Sequence, residues 1–344
     1  MRHDVEEQLI SGIADIRKLP KDGKFWGLGV VSKWSVRKDK NGKSYWDIGV
    51  MDPDGVLEGK VWQDAQWFDK RGEKQLPVTN PEASELFGDM SGKTLGFRGQ
   101  VTEFRGQLQY KFNELYFVDQ QKFPPHQFVQ RSPVSEEELE REFRALVARC
   151  AGPVGDFLNF LFFEKGLWED FRSWPAAVSF HHAYVGGLLE HTVAVTRVAL
   201  AQASACAENG YPVNLPVTIA GALLHDIGKM DAYRLTPAPE MTVEGTVIDH
   251  VVMGYQTYSA AAREFGLDHQ TATAIGHILI SHHGSREFGS PVLPSTPEAM
   301  IVSSADELDF RLFCWKSAVG QLDEGREISE YMPVVQRRFW RWEG

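Results

Sequence analysis

The sequence predicts two domains of different class, an all-β unit followed by an all-α unit, and three observations predict it. At 344 residues the chain exceeds the roughly 100 to 200 residues of one compact domain. Apolar residues alternate in short runs up to residue 118 and recur at three- and four-residue intervals beyond residue 138. Charge divides along the same line. Residues 1–122 hold 19 basic and 19 acidic side chains, so the remaining 17 and 28 carry the whole net charge of -11. A hydrophobic fraction of 43% supplies core material for both parts and excludes a disordered chain.

In the first part, residues 26–36, 45–51 and 56–62 are β-branched or aromatic runs, and Asp52-Pro53-Asp54-Gly55 between the last two is turn chemistry. Arg105-Gly106 separates 99–104 from 107–112 in the same way, which predicts a second hairpin. Five strands, with a less regular stretch at 63–92 that has room for a short helix, suit a small, partly open barrel of the OB type. The barrel is assigned to 25–122, after an N-terminal segment at 1–24.

Phe123-Pro124-Pro125 breaks the strand pattern, and Ser135 followed by Glu136, Glu137 and Glu138 reads as a capped helix start with acidic residues in its first turn. A linker at 123–134 leads into helical periodicity at 139–161, 188–207, 218–229, 251–265, 271–281 and 297–312. These predict a helical bundle over 135–325, followed by a tail at 326–344. The N-terminus is polar where a signal peptide would be apolar, and no apolar run approaches the roughly 18 residues of a membrane span. The reading is a soluble, cytoplasmic protein with no membrane partner. Cys150, Cys206 and Cys314 are too far apart for a paired metal or redox motif and read as reduced thiols. No heptad run marks a coiled coil, so homo-oligomerisation stays open.

Nine of the eleven histidines fall between His181 and His283, within the helical part. A lone helical histidine is usually a packed or solvated side chain, but here several stand in one pattern. His191 follows Gly187-Leu188-Leu189-Glu190, His225-Asp226-Ile227-Gly228-Lys229 follows an apolar run, and then come His250, Ser281-His282-His283-Gly284 and Ala305-Asp306. Imidazole nitrogens with carboxylate oxygens suit Mn, Fe, Co, Ni or Zn, whereas all-oxygen shells suit Mg and Ca. Adjacent helix positions point about 100° apart, so His225 and Asp226 address one ion, or two neighbouring ions, only if both face the bundle centre. Lys229, four residues after His225, shares nearly the same face and can meet a phosphate oxygen, or else is a solvated helix end. His182 falls opposite His191 on a continuous helix unless Gly186 and Gly187 break it, so His181 and His182 read as supporting or structural residues. Asp309, one turn after Asp306, could orient a ligand but reads first as an exposed carboxylate.

This pattern resembles the HD superfamily of metal-dependent phosphohydrolases. The resemblance implies His191, His225, Asp226 and Asp306 as ligands of a divalent ion, and His250, His282 and His283 as the extra ligands of a second. Of His282 and His283, both ligate, or one contacts substrate. Asp226 and Lys229 are the catalytic candidates. Mn is the ion expected, with Fe, Co, Ni and Mg as alternatives and one or two ions bound.

In the barrel, Lys33, Arg37, Lys38, Lys40 and Lys43 cluster around Trp34, Tyr45 and Trp46 with only Asp39 against them. Bases stack on aromatic faces while lysines and arginines track phosphates, so Lys33, Trp34, Arg37, Lys38, Lys43 and Tyr45 are candidate contacts to single-stranded RNA or DNA. A hydrated hairpin loop is the alternative. Alternation places Trp46, Ile48 and Val50 on one face, inward, with Tyr45 on the other. An OB-type barrel preceding an HD domain resembles the YhaM-type 3′-to-5′ exoribonucleases, which implies release of nucleoside monophosphates from a free 3′ end. Two alternatives stand beside that reading. One is hydrolysis of a small nucleotide or cyclic dinucleotide, from whose signature Gly284 and Ser290 depart; the other is a non-catalytic nucleic-acid-binding adaptor.

Overall fold

The computed structural model describes residues 12–104, 106–178, 181–235, 239–320, 322 and 325–342, with the side chain of His126 left aside. Residues 1–11 of the N-terminal segment, and Arg105 of the second turn, lie outside the described residues. Two compact units make up the chain, the first chiefly of residues up to Arg131 and the second chiefly from Ser132.

The first unit opens with one helical turn, α1 (Ile13–Ile16), then strands β1 (Lys24–Lys38), β2 (Ser44–Asp52), β3 (Gly55–Lys70), β4 (Leu76–Pro77), β5 (Thr94–Phe104) and β6 (Gln107–Val118). Antiparallel pairs join β1 to β2, β2 to β3, β1 to β5 and β5 to β6, while β3 runs parallel to β6. The pairings therefore run from β1 through β2, β3, β6 and β5 back to β1, an OB-like arrangement in which each long strand pairs with two other long strands, β3 also holding the short β4. Two expectations change. β3 runs on to Lys70 instead of stopping near Trp62, and among the described residues turns, bends and the short β4 occupy the rest of 63–92, with no helix. Part of the N-terminal segment also belongs to the core, since Ile13 and Ile16 are buried with Val31, Trp46, Ile48, Val50 and Phe112. Trp46, Ile48 and Val50 do alternate inward, which turns Tyr45 and Asp47 to the outer face.

The second unit contains α2 (Glu136–Ala148), α3 (Pro153–Asn159) running into a π turn, α4 (Leu167–Phe171), α5 (Gly187–Glu208), α6 (Leu215–Leu224), α7 (Lys229–Ala232), α8 (Val243–Val247), α9 (His250–Phe265), α10 (His269–Ser281) and α11 (Pro297–Gly320). A two-stranded ribbon of β7 (Tyr233–Leu235) and β8 (Pro239–Met241) stands between α7 and α8. The α6 segment is apolar on every side, the mark of a helix surrounded by others, and Val217 to Leu224 are buried throughout. It packs against α5, α10 and α11. Asn214 caps it, its side chain accepting from the Val217 N–H at 3.2 Å, and the Asn214 N–H donates to buried Glu298 of α11 at 2.7 Å. Those bonds tie the starts of two site-bearing helices together. Among the described residues no helix is long and apolar enough to cross a membrane.

Candidate metal centre

Helix ends bring the polar side chains together. α6 stops at Leu224, earlier than the periodicity predicts, and His225 is its C-cap; a turn through Gly228 then leads into α7. The final carbonyls of a helix lack intrahelical partners. His225 folds back so that its Nδ1 donates to the Ala222 carbonyl at 2.8 Å, and His282, C-cap of α10, does the same to Leu279 at 2.7 Å. His283 Nδ1 donates to the Phe288 carbonyl at 2.7 Å. A carbonyl only accepts, so in each neutral ring the hydrogen sits on Nδ1 and Nε2 keeps its lone pair. One sequence position, the helix terminus, thus fixes both the place and the tautomer of a metal-type nitrogen.

Asp226 stands among these nitrogens. Its Oδ2 lies 3.3 Å from His191 Nε2 and 3.3 Å from His225 Nε2, while its Oδ1 lies 3.5 Å from His250 Nε2 and 3.7 Å from His282 Nε2. Asp306 of α11 adds an oxygen 3.3 Å from His191 Nε2. His191, His225 and Asp226 form one group that can hold a metal ion, and His250, His282 and His283 form another, with Asp226 between them. Buried polar atoms are nearly always hydrogen-bonded, yet Asp226 Oδ1, His250 Nε2 and His282 Nε2 have no such partner among the described residues. Three orphaned lone-pair atoms facing one another are what a divalent cation would satisfy, so the donor set fits a metal.

Lys229 reaches the same Asp226 oxygen as His225 does. It stands three residues after Asp226, with Nζ 2.5 Å from Asp226 Oδ2. Burial opposes both charges, but the ammonium beside it and His225 hold the Asp226 carboxyl well below the usual range. Burial also opposes charge on His191, where hydrogen bonds to Asp226, Asp306 and Asp309 outweigh it and hold the imidazole well above its ordinary value. Burial prevails at His250, lowered to about 4, and at His282, pushed well below the ordinary value.

Backbone contact sets the spacing. Gly228 lies so close to α9 that a Cβ there would meet the His250 carbonyl oxygen at 2.0 Å and the Gly254 nitrogen at 2.4 Å. His250 is presented by Asp249, a non-glycine residue at φ +79° whose carboxylate caps the Val251 N–H at 2.9 Å. Such strain persists only where surrounding structure enforces it.

Gly186, at φ +79°, caps the start of α5, so 181–185 is not helical: the glycines do break the helix, and His182 need not oppose His191. His181, His182 and His191 converge on Asp309, which is not the exposed carboxylate anticipated. The sequence signal was present in the three-residue interval from Asp306, which puts both carboxylates on one face of α11.

On the first unit, the expected basic and aromatic residues divide. Tyr45 stacks on Trp62 with centroids 5.0 Å apart, and Lys60 Nζ stands 5.5 Å and 5.6 Å from the two rings. Trp62 is 37% exposed, which leaves it open to contact from outside. Lys33 pairs with Glu58 at 3.2 Å and Arg37 with Asp47 at 3.3 Å on the same outer face. Lys38, Lys40 and Lys43 lie at an exposed turn that Asp39 organises by accepting from the Asn41 and Lys43 N–H groups. Trp34 is a correction: it packs against the core, edge to face with Trp67 at 6.0 Å, and its indole nitrogen is buried. Lys60 and Trp62, left out of the candidate set, complete the outer aromatic face.

The family model of the HD domain matches residues 188–311, a span that takes in His191, His225, Asp226, Lys229, His250, His282, His283, Asp306 and Asp309. The helical unit therefore carries an HD domain, which indicates a metal-dependent phosphohydrolase.

Proposed function

We propose that this chain hydrolyses phosphodiester bonds of single-stranded nucleic acid, RNA foremost, from the 3′ end, releasing nucleoside monophosphates with Mn as the preferred ion. The observation that carries the phosphoester chemistry is Asp226 between two sets of Nε2 atoms with an ammonium against it. His191, His225, Asp226 and Asp306 would hold one ion, and His250, His282 and His283, with Asp226 shared, a second. A divalent ion held there supplies the Lewis acidity that makes water a nucleophile toward phosphorus near neutral pH. Asp226 orients the donor set and holds Lys229 in place. Lys229 offers its ammonium to a phosphoryl oxygen and offsets negative charge as it develops.

The stacked Tyr45 and Trp62, with Lys60 above them, support nucleic acid as the substrate, since stacking on exposed rings tolerates any base. The 3′-to-5′ direction follows the likeness to the YhaM-type exoribonucleases in domain order. The test is metal analysis followed by digestion of an RNA labelled at one end and blocked at the other. Mn-dependent release of mononucleotides from an open 3′ end is expected. Turnover of a cyclic dinucleotide with RNA untouched would replace the substrate, and oligonucleotide binding without cleavage would make the chain an adaptor.

A further inference from the structure

We propose that Asp309 is the positioning residue for His191, holding its ring so that Nε2 faces the metal centre; the proposal rests on the reading of His191 as a ligand. His191 Nδ1 lies 2.8 Å from Asp309 Oδ2. A carboxylate oxygen only accepts, so Nδ1 carries the hydrogen and the opposite nitrogen, 3.3 Å from Asp226 and from Asp306, is the one directed inward.

The acceptor is itself held. His181 Nε2 reaches the same Oδ2 at 3.0 Å, and His182 Nε2 stands 3.5 Å from it. His182 Nδ1 lies 2.5 Å from the Tyr184 hydroxyl, and that hydroxyl donates to Glu190 Oε2 at 2.8 Å. Glu190 precedes His191 in the chain, so the contacts leave His191 through its ring and return through its backbone. His181, His182 and His191 are all buried, and the rings of Phe310 and Phe313 close over His181. In that closed loop the His191 ring has one orientation. A metal held by His181, His182 and Asp309 together with the His191 nitrogen that faces them would need Nδ1 without its hydrogen, which the contact to Asp309 opposes.

The experiment uses the full chain. Mn affinity is measured by isothermal titration for wild type and Asp309→Ala, and the protonation of His191 Nδ1 is read by nitrogen-15 NMR in the metal-free and Zn-loaded wild type. Loss of an orienting partner of a metal-bound histidine costs about 10- to 100-fold in affinity, which is the drop expected for Asp309→Ala. Nδ1 is expected to keep its hydrogen in both forms of the wild type. A folded Asp309→Ala chain that binds Mn as the wild type does overturns the proposal while leaving the metal reading intact. A bare Nδ1 in the wild type overturns it even if the alanine variant fails to fold. A wild type that binds neither ion overturns the metal reading and this proposal with it.

Discussion

The two units handle charge in opposite ways. On the OB-like unit, Lys33–Glu58 and Arg37–Asp47 lie on an outer face beside solvent-facing rings, and such pairs contribute no more than about 1 kcal/mol each. In the helical unit, Asp226 and Lys229 form an ion pair whose carboxylate side chain is 3% exposed and whose ammonium side chain is 12% exposed. Burying charge costs several kcal/mol per ion even after the protein relaxes. A fold that spends this much on a cluster with orphaned atoms is organised around a ligand, whereas a hydrated surface can lose or gain a lysine at little cost. The contrast separates a chemical centre from a handle.

The largest effect that would break the contrast comes from Asp226→Ala. Bound Mn and phosphodiester hydrolysis should both disappear, measured by metal analysis and nuclease assay, because the proposed shared ligand and the partner of Lys229 are lost together. Full turnover in this variant would end the metal reading. Next come the two separate cores. Phe143, buried against Phe162, Trp168 and Phe171, and Phe112, buried against Phe25 and Phe97, should each cost about 3 to 5 kcal/mol when replaced by alanine. Calorimetry should show Phe143→Ala lowering the transition that Mn raises and Phe112→Ala lowering the other; a single transition moved equally by both would dissolve the division. Tyr45→Ala or Trp62→Ala should weaken oligonucleotide binding by about 1 to 3 kcal/mol per stacked base while leaving Mn affinity alone, read by fluorescence anisotropy beside titration calorimetry. Smallest is Trp34→Phe. Its buried indole N–H has no hydrogen-bond partner among the described residues, so stability should move by less than about 1 kcal/mol and oligonucleotide binding should stay unchanged.

Much of this was legible from residue order. The apolar run before His225-Asp226 and the inward alternation of Trp46, Ile48 and Val50 could be read directly. What periodicity could not supply is where a helix stops. A regular spiral through residue 229 was expected; the helix stops at Leu224 and the chain turns through Gly228 into α7. The same limit left Asp309 open between orienting a ligand and facing solvent, because which one holds depends on the helix starting at Gly187, which lets the histidines reach α11. Trp34 was misplaced because β1 changes register against β2 between Val31 and Lys33, which shifts the alternation by one residue.

Gly228 bears on how finely the centre is held. Where main chain meets main chain, the gap between the Asp226 turn and the first residue of α9 contains no rotamer that could flip and no stem that could bend. Alanine at 228 would act as a wedge, pushing the His250 backbone away by about 1 Å or more, since its Cβ would stand 2.0 Å from the His250 carbonyl oxygen where ordinary contact begins at 3.4 Å. That position works as a fixed gauge block for the distance between the two backbones.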